Sequence, residues 1–133
     1  MFRVLSGFIG LIVLVAAGCS SSAGLPQTYP AGGSVVYKDG SPMKGGTVEF
    51  STSSDPLLRV VGQVREDGSF TLNTIKDRTR AAGAPEGEYQ VIVQPPLVGE
   101  HKGVVPITMS KSYRVETKDN QFHIQLSTLP PKS

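Results

Sequence analysis

The chain has 133 residues, of which 13 are Lys or Arg and 11 are Asp or Glu, so its formal net charge is +2. The basic residues are scattered along the sequence and predict no concentrated basic face, which excludes nucleic acid as an expected partner. Cys19 is the single cysteine. No intramolecular disulfide is therefore possible, and the stability of the fold must come from packing.

The amino terminus has the order of regions that is typical of a secretory signal peptide. Arg3 supplies positive charge ahead of an apolar run from Val4 to Gly18. This run of about 15 residues is shorter than the roughly 20 that a helix needs to cross the hydrocarbon core of a bilayer. We therefore expect residues 1–18 to be a cleaved signal peptide, with an uncleaved anchor as the alternative.

The segment Ala16-Ala17-Gly18-Cys19 resembles the lipobox of bacterial lipoproteins, although a lipobox usually has Leu or Val where this chain has Ala16. The resemblance implies cleavage between Gly18 and Cys19 and lipidation of Cys19 with chains such as palmitate, which together give stable membrane anchoring. Ser20 is not the aspartate that retains some lipoproteins at the inner membrane. By resemblance to that sorting rule, we expect a bacterial cell envelope protein held on the outer membrane.

The sequence changes character twice after the cysteine. Residues 19–32, with Pro26 and Pro30 and no apolar periodicity, predict a lipidated cysteine and a flexible tether, and the fourteen residues 20–33 would have a root-mean-square span of roughly 20 Å. Residues 33–128 show short alternating apolar segments between Gly, Pro, Asp and Asn, which predicts one β-rich domain. Residues 129–133 form a short tail.

Seven strands are predicted in that domain, joined by tight turns and two long loops. Asp67-Gly68 is expected to form a tight hairpin turn because both residues tolerate positive φ. Residues 75–87 are interpreted as a crossover loop and turn, and residues 99–110 as a long surface loop. The apolar residues Val104, Val105, Ile107 and Met109 indicate that part of this second loop lies against the domain. The pattern predicts an all-β, seven-stranded Greek-key β-sandwich. Its strands are Ser34–Lys38, Gly46–Ser51, Arg59–Arg65, Ser69–Thr74, Glu88–Gln94, Ser112–Thr117 and Gln121–Ser127.

Three sequence blocks in order, Gly33 to Phe50, Asp67 to Leu72 and Gly83 to Val91, resemble a carboxypeptidase regulatory-like domain. That family has a transthyretin-like (prealbumin-like) sandwich, and the resemblance implies a stand-alone bacterial lipoprotein without an assigned biochemical role. Read from the residues alone, the blocks supply turns and strands. Tyr89 is expected to place its ring in the core and its hydroxyl near a strand end.

The sequence offers little for catalysis. A hydrolase needs a positioned base, and the two histidines, His101 and His123, are both expected on the surface. No cysteine pair, His-x-x-x-His or dense acidic cluster predicts a metal or cofactor. The transthyretin-like fold includes hydroxyisourate hydrolases with a C-terminal Tyr-Arg-Gly-Ser motif, and this chain ends from Ser127 to Ser133 without it. We therefore predict a protein that is not an enzyme.

One basic segment is the candidate ligand contact. Lys76, Arg78 and Arg80 could hold anionic glycans or lipid headgroups, with a solvated crossover loop as the alternative. Tyr29, expected to be exposed in the tether, could stack on a sugar ring, although the chain has no tryptophan.

The expected function is a membrane-anchored envelope lipoprotein with a noncatalytic interaction or structural module. The alternatives are a module that binds envelope polysaccharide and a small transthyretin-like hydrolase, and the expected partners are the membrane and an envelope protein or polysaccharide.

Overall fold

The computed structural model of the protein describes residues 24–97 and 105–131. The predicted signal peptide, Gly18, Cys19 and His101 lie outside them. The described residues form ten β-strands and no helix, and the sheets pack as a sandwich, which confirms the predicted all-β class. The strands are β1 Thr28–Tyr29, β2 Ala31–Val36, β3 Thr47–Ser51, β4 Arg59–Gln63, β5 Ser69–Lys76, β6 Thr79–Ala82, β7 Ala84–Pro85, β8 Gly87–Gln94, β9 Ile107–Val115 and β10 Asn120–Gln125.

The main sheet runs in the order β10-β2-β5-β4-β3-β8-β9, and β6 pairs with β5 beside this path. Strands β10 and β2 are parallel, and the other neighbours are antiparallel. The central strand β5 pairs with β2 through residues 69–71 and with β4 and β6 through residues 72–76. A separate two-stranded sheet joins β1 to β7. The β5 strand thus connects the two parts of the sheet that enclose the core.

Each of the seven predicted strands overlaps a strand of the structure, and three short strands were not predicted. Residues 75–87, expected to be a loop, contain the end of β5 together with β6 and β7. In the second expected loop, residues 107–110 belong to β9. Strand β6 escaped prediction because its side chains are mostly exposed, without the alternation that reveals a strand in a sequence, and it forms through backbone pairing. The first residues of β9 do alternate: Ile107 and Met109 pack against the core, and Thr108 and Ser110 are exposed.

The predicted flexible tether is wrong for residues 28–32, which lie in β1, at the Pro30 connection and in β2. Thr28 Oγ1 donates a hydrogen bond of 2.7 Å to the carbonyl oxygen of Ala82, and Leu25 packs against the core. Tyr29, expected to be exposed, is half-buried. Side-chain contacts of Leu25 and Thr28 thus add to the backbone pairing of β1 and β2, and the Pro- and Gly-rich composition of the segment revealed neither.

The predicted Asp-Gly turn also differs in its details. The amide of Gly68 donates to the carbonyl of Arg65 at 2.9 Å, and the amide of Arg65 donates to the carbonyl of Ser69 at 2.8 Å. Only Gly68 takes a positive φ, of 84°, while Asp67 Oδ1 accepts the Ser69 amide at 2.9 Å. The loop therefore has three residues and ends in a left-handed glycine, a common hairpin geometry. Residues 37–41 repeat the arrangement.

The core is built around the fully buried ring of Phe50. Four other aromatic rings lie with their centroids 5.2 to 6.4 Å from it, in the tilted arrangements that aromatic pairs favour. Tyr89 is 3 % exposed, and its hydroxyl donates to the carbonyl of Pro85 at 2.8 Å. The prediction of a buried Tyr89 ring with its hydroxyl at a strand end is confirmed. The ring partners of Phe50 are Phe70, Tyr89, Tyr113 and Phe122.

Asn120 joins the two termini of the domain. It is 5 % exposed, and its Oδ1 accepts the amide of Glu116 at 2.8 Å. Its Nδ2 lies 3.0, 2.6 and 3.2 Å from the carbonyl oxygens of Glu116, Lys118 and Pro30. The backbone amide of Asn120 also donates to Pro30, at 2.8 Å. One side chain thus fixes the turn before β10 and the point where the chain enters β2.

Candidate functional site

The chain enters the folded domain beside a cleft of about 690 Å³, which we call the entry cleft. Gly24, Leu25 and Pro26 line it, together with the loop 52–58, the end of β5 and the start of β8. Because Leu25 packs on the core and β1 pairs with β7, this wall of the cleft is part of the fold. The full set of lining residues is Gly24, Leu25, Pro26, Thr52, Ser54, Asp55, Leu58, Lys76, Pro85, Glu86, Gly87, Glu88 and Tyr89.

Lys76, one of the three predicted contact residues, lines the entry cleft and is already paired. Its Nζ lies 2.9 Å from Asp55 Oδ2, and the two side chains are 25 % and 32 % exposed. The hydrogen bond from Lys76 lowers the pKa of Asp55, whose Oδ1 also accepts the amide of Leu57 at 3.1 Å. The pair therefore fastens the loop 52–58 to the end of β5, and the charge of Lys76 is largely used within the protein.

Arg78 lies in the two-residue turn between β5 and β6, and its side chain is exposed. Asp77, the first residue of the turn, has a φ of 54°. Asp tolerates this left-handed conformation better than most residues, which suits it to a short hairpin turn. Arg78 makes no ion pair or side-chain hydrogen bond within residues 24–97 and 105–131.

Arg80 faces away from Lys76. It is the cross-strand partner of Ile75, so the two share one face of the sheet, and Lys76, as the next residue of β5, points to the other face. Arg80 instead lines a second cleft of about 490 Å³ on the outer surface of the sheet, with Arg65 and Thr71 among its neighbours. The structure therefore does not bring the three predicted cations into one site, because strand alternation separates them.

Acidic side chains balance the positive charge around the entry cleft. Glu86 and Glu88 lie on its β8 side, and Arg114 of the neighbouring strand approaches them at 3.9 and 3.8 Å. All three side chains are more than half exposed, so these contacts contribute little to stability. The rim of the cleft is thus of mixed charge.

The sequence did not reveal a polar cluster on the outer face of β10, β2 and β5. His123 is exposed, as predicted, and its Nδ1 lies 3.2 Å from Ser34 Oγ across the parallel β2–β10 pair. Ser69, opposite Ser34 on β5, donates its hydroxyl to Asp67 Oδ1 at 2.6 Å and accepts from Arg65 at 3.2 Å. A serine next to a histidine is the beginning of a nucleophile–base arrangement. Only the sheet order could have brought the two together, because 89 residues separate them.

An apolar groove of about 520 Å³ lies at the opposite end of the sandwich. Its walls come from the turn after β2, the end of β8 and the carboxyl-terminal tail. Strand β8 runs between the two ends, from Gly87 at the entry cleft to the prolines that follow Gln94. The lining residues are Tyr37, Ser41, Pro42, Lys44, Pro96, Pro130 and Pro131.

The chain matches no protein-family model, no curated protein and no solved structure. Among the residues that the structure describes, no group of three or more His, Cys, Asp or Glu side chains could hold a metal ion. The described part of the chain also contains no helix with the length and apolar character to cross a membrane.

Proposed function

We propose that this protein is a membrane-anchored lipoprotein of the bacterial cell envelope, whose β-sandwich is a noncatalytic structural or interaction module. The observation that carries the proposal is the position of Cys19. It follows an apolar segment too short to span a bilayer, and it precedes the first residue of the entry cleft, Gly24, by only five residues. A lipid on Cys19 would therefore hold the sandwich close to its membrane.

The three sequence blocks that resemble carboxypeptidase regulatory-like domains support a stand-alone sandwich of this kind. They fall on β2 to β3, on the start of β5 and on β7 to β8. Each block makes a structural contribution: turns with glycine at positive φ, strands that supply Phe50 to the core, and the Tyr89 to Pro85 hydrogen bond. We place the protein on the outer membrane, because Ser20 follows the cysteine.

Lipidation is tested in bacterial cells that express the full chain. Incorporation of labelled palmitate and the mass of the mature amino terminus are measured for the natural chain, for Cys19→Ala and for the control Ser20→Ala. The proposal expects acyl chains on the natural chain and on the Ser20→Ala control, both in the membrane fraction, and neither property in Cys19→Ala. An unacylated natural chain, or release of the intact chain from membranes without detergent, would contradict the anchor.

The role of the module is tested by cross-linking in intact cells, followed by recovery from the membrane fraction and mass spectrometry. A recurrent protein partner would make the domain an adaptor or an assembly subunit. Recovery without any protein partner would favour a passive role in the envelope.

Binding of envelope polysaccharide is a second candidate, favoured by the outer face of the sheet. Two clefts there, of about 600 and 490 Å³, share Arg65 and Thr71, and their linings combine apolar surface with hydroxyl, amide and guanidinium groups. Affinity electrophoresis of the mature chain in gels that contain purified envelope polysaccharide tests this candidate. Retardation that Arg65→Ala abolishes would support it, and unchanged mobility would remove it.

A small hydrolase is the third candidate, and the Ser34–His123 contact is the observation that favours it. Both side chains lie on an open sheet surface, and no group within the described residues bonds the second ring nitrogen of His123. The triad arrangement needs such a group to orient the base. Turnover of hydroxyisourate or an ester by the mature chain that Ser34→Ala abolishes would make this the function.

A further inference from the structure

The structure reduces the tether to a few residues. Leu25 packs on the core, Thr28 bonds Ala82, β1 pairs with β7 and Asn120 holds Pro30. The folded domain therefore begins at about Leu25, close after Cys19. Five residue steps from Cys19 to Gly24 span at most about 18 Å in any conformation. Fourteen free residues, the length of the tether predicted from the sequence, could have extended to about 50 Å.

A linker of that length restricts which surface can face the membrane. The chain leaves the fold at the entry cleft, at the end of the sandwich where β8 begins, and the apolar groove lies where β8 ends. The eight residues of β8 separate this end from the apolar groove by about 23 Å. A lipid on Cys19 thus reaches the bilayer easily when the entry cleft faces it, and hardly when the opposite end does.

Exposed large apolar side chains lie at both ends of the sandwich, with Leu57 at the entry cleft and Leu97, Val105 and Leu129 at the end of the apolar groove. The short link to Cys19, and not the amount of exposed apolar surface, therefore selects the end that faces the membrane. Leu57 is 67 % exposed at the tip of the loop 52–58, and the Asp55–Lys76 pair holds that loop against β5. Arg78 stands exposed in the adjacent turn. Exposed apolar side chains can enter the interface between lipid headgroups and acyl chains, and an unpaired cation is attracted to anionic headgroups. Asp77, Glu86 and Glu88 at the same end keep the electrostatic part of this attraction small.

We propose that the entry-cleft end of the sandwich docks on the surface of the bilayer that anchors Cys19, with Leu57 entering the interface and Arg78 contacting headgroups. This inference rests on the proposed lipid anchor. Docking fixes the orientation of the domain, so that the outer sheet face stands upright and the apolar groove of Tyr37, Pro42 and Pro130 points away from the membrane.

The orientation is tested with fluorescent probes on two exposed serines at opposite ends of the domain. Ser53→Cys places the probe in the loop 52–58, and Ser127→Cys places it beside the carboxyl-terminal tail. Cys19 is blocked by its lipid and stays unlabelled. The full-length lipidated protein is reconstituted in phosphatidylcholine vesicles, with and without phosphatidylglycerol, that contain nitroxide-labelled lipid as the quencher. We expect a larger loss of emission at position 53 than at position 127.

Two leucines give matched variants for the same measurement. Leu57 and Leu129 have nearly equal exposure, 67 % and 65 %, and lie at opposite ends. We expect Leu57→Ser to reduce the quenching at position 53 and Leu129→Ser to leave it unchanged. Equal quenching at the two probes, or stronger quenching at position 127, would overturn the proposed orientation.

The anchor and the orientation fail in different ways. If the natural chain lacks acyl chains and does not sediment with vesicles, the proposed function and the docking both fail. If it is acylated and sediments but shows no preference between the probes, only the docking fails. Vesicles with and without phosphatidylglycerol separate the electrostatic contact of Arg78 from the apolar contact of Leu57. Contact through Arg78 predicts stronger quenching at position 53 when phosphatidylglycerol is present, and Arg78→Gln should remove that increase.

Discussion

Replacing Asn120 by aspartate tests how the entry of the chain is held. The substitution keeps the shape of the side chain and exchanges its Nδ2 donor for an oxygen. That oxygen would face the carbonyl oxygens of Lys118, Glu116 and Pro30, which lie 2.6, 3.0 and 3.2 Å from Nδ2. The amide of Glu116 would remain the main donor near the new carboxylate. The change therefore leaves a charge in a site that is 5 % exposed with too few partners.

We expect Asn120→Asp to lower the free energy of unfolding by about 3–5 kcal/mol at pH 7, the cost of an uncompensated buried charge. This is a large share of the roughly 5–15 kcal/mol that stabilises a typical domain. The surrounding carbonyls should raise the folded-state pKa of the new carboxyl above its unfolded value near 4. Protons then bind the folded state more tightly, so the penalty is complete above the folded pKa and shrinks as the pH falls towards 4.

Urea unfolding of the mature chain at pH 7 and pH 4, followed by circular dichroism, measures both effects. Gln63→Glu makes the same chemical change at an exposed position of β4, and we expect it to shift the free energy of unfolding by no more than about 0.5 kcal/mol. An Asn120→Asp chain within about 1 kcal/mol of the natural one at pH 7 would refute the assigned hydrogen-bond network. So would a deficit that does not become smaller at pH 4.

Three further expectations concern stability and can be measured by the same urea unfolding. A Cβ on Gly33 would lie 1.9 Å from the carbonyl oxygen of Phe122, so Gly33→Ala should separate β2 from β10 and lower the free energy of unfolding by about 3 kcal/mol or more. Gly40 has open space around it, so Gly40→Ala should lower it by only about 1 kcal/mol. Equal losses for the two variants would contradict this geometry. Thr74→Val removes the buried 2.8 Å hydrogen bond to the carbonyl of Gly83 and should cost about 1–3 kcal/mol, and a neutral result would mean that this carbonyl finds another donor. Hydrogen bonds hold the pKa of four carboxyl groups below the ordinary range, so these groups stabilise the fold above the unfolded pKa near 4, and this stabilisation is lost as the pH falls through the folded pKa values. The free energy of unfolding should therefore decline below about pH 4. A constant free energy of unfolding down to pH 2 would contradict this expectation. The four groups are Asp39, Asp55, Asp67 and Glu116.

The strands that the sequence predicted well are those with one buried face. In β3 and β8, Val48, Phe50, Tyr89, Val91 and Val93 are all buried, and the residues between them are exposed or half-buried, so burial leaves a period of two in the sequence. Strands β1, β6 and β7 contain two to four residues and form mainly through backbone pairing. Since every residue except proline carries the same backbone donor and acceptor, such pairing has almost no sequence signature.

The candidate sites depend on contacts that are distant in sequence, which is why the segment Lys76, Arg78 and Arg80 was misleading. Lys76 meets Asp55, 21 residues away, and Arg80 turns to the opposite face of the sheet. Reading 76–80 as a loop implied that the three cations could converge, whereas a hairpin with a two-residue turn forces the side chains to alternate. Knowing that β6 exists would have been enough to separate them.

Ordering the amino-terminal segment is costly, and this cost helps to explain what the segment does. Fixing the backbone of the eight residues 25–32 costs on the order of 10 kcal/mol in conformational entropy. A protein that needed only an anchor could leave them free, as their composition suggests. Instead, Gly83 has a φ of 87°, and the carbonyl oxygen of Tyr29 lies 2.2 Å from the position that a Cβ on Gly83 would take. The side chain of Asn120 donates to neighbouring carbonyl oxygens, including that of Pro30. Contacts that shorten the link to Cys19 would not strengthen the proposed lipid anchor, but they would limit the rotation and reach of the domain. Such a limit fits the proposal that the domain presents its entry-cleft end to a membrane, which is the arrangement that the paired serine probes measure.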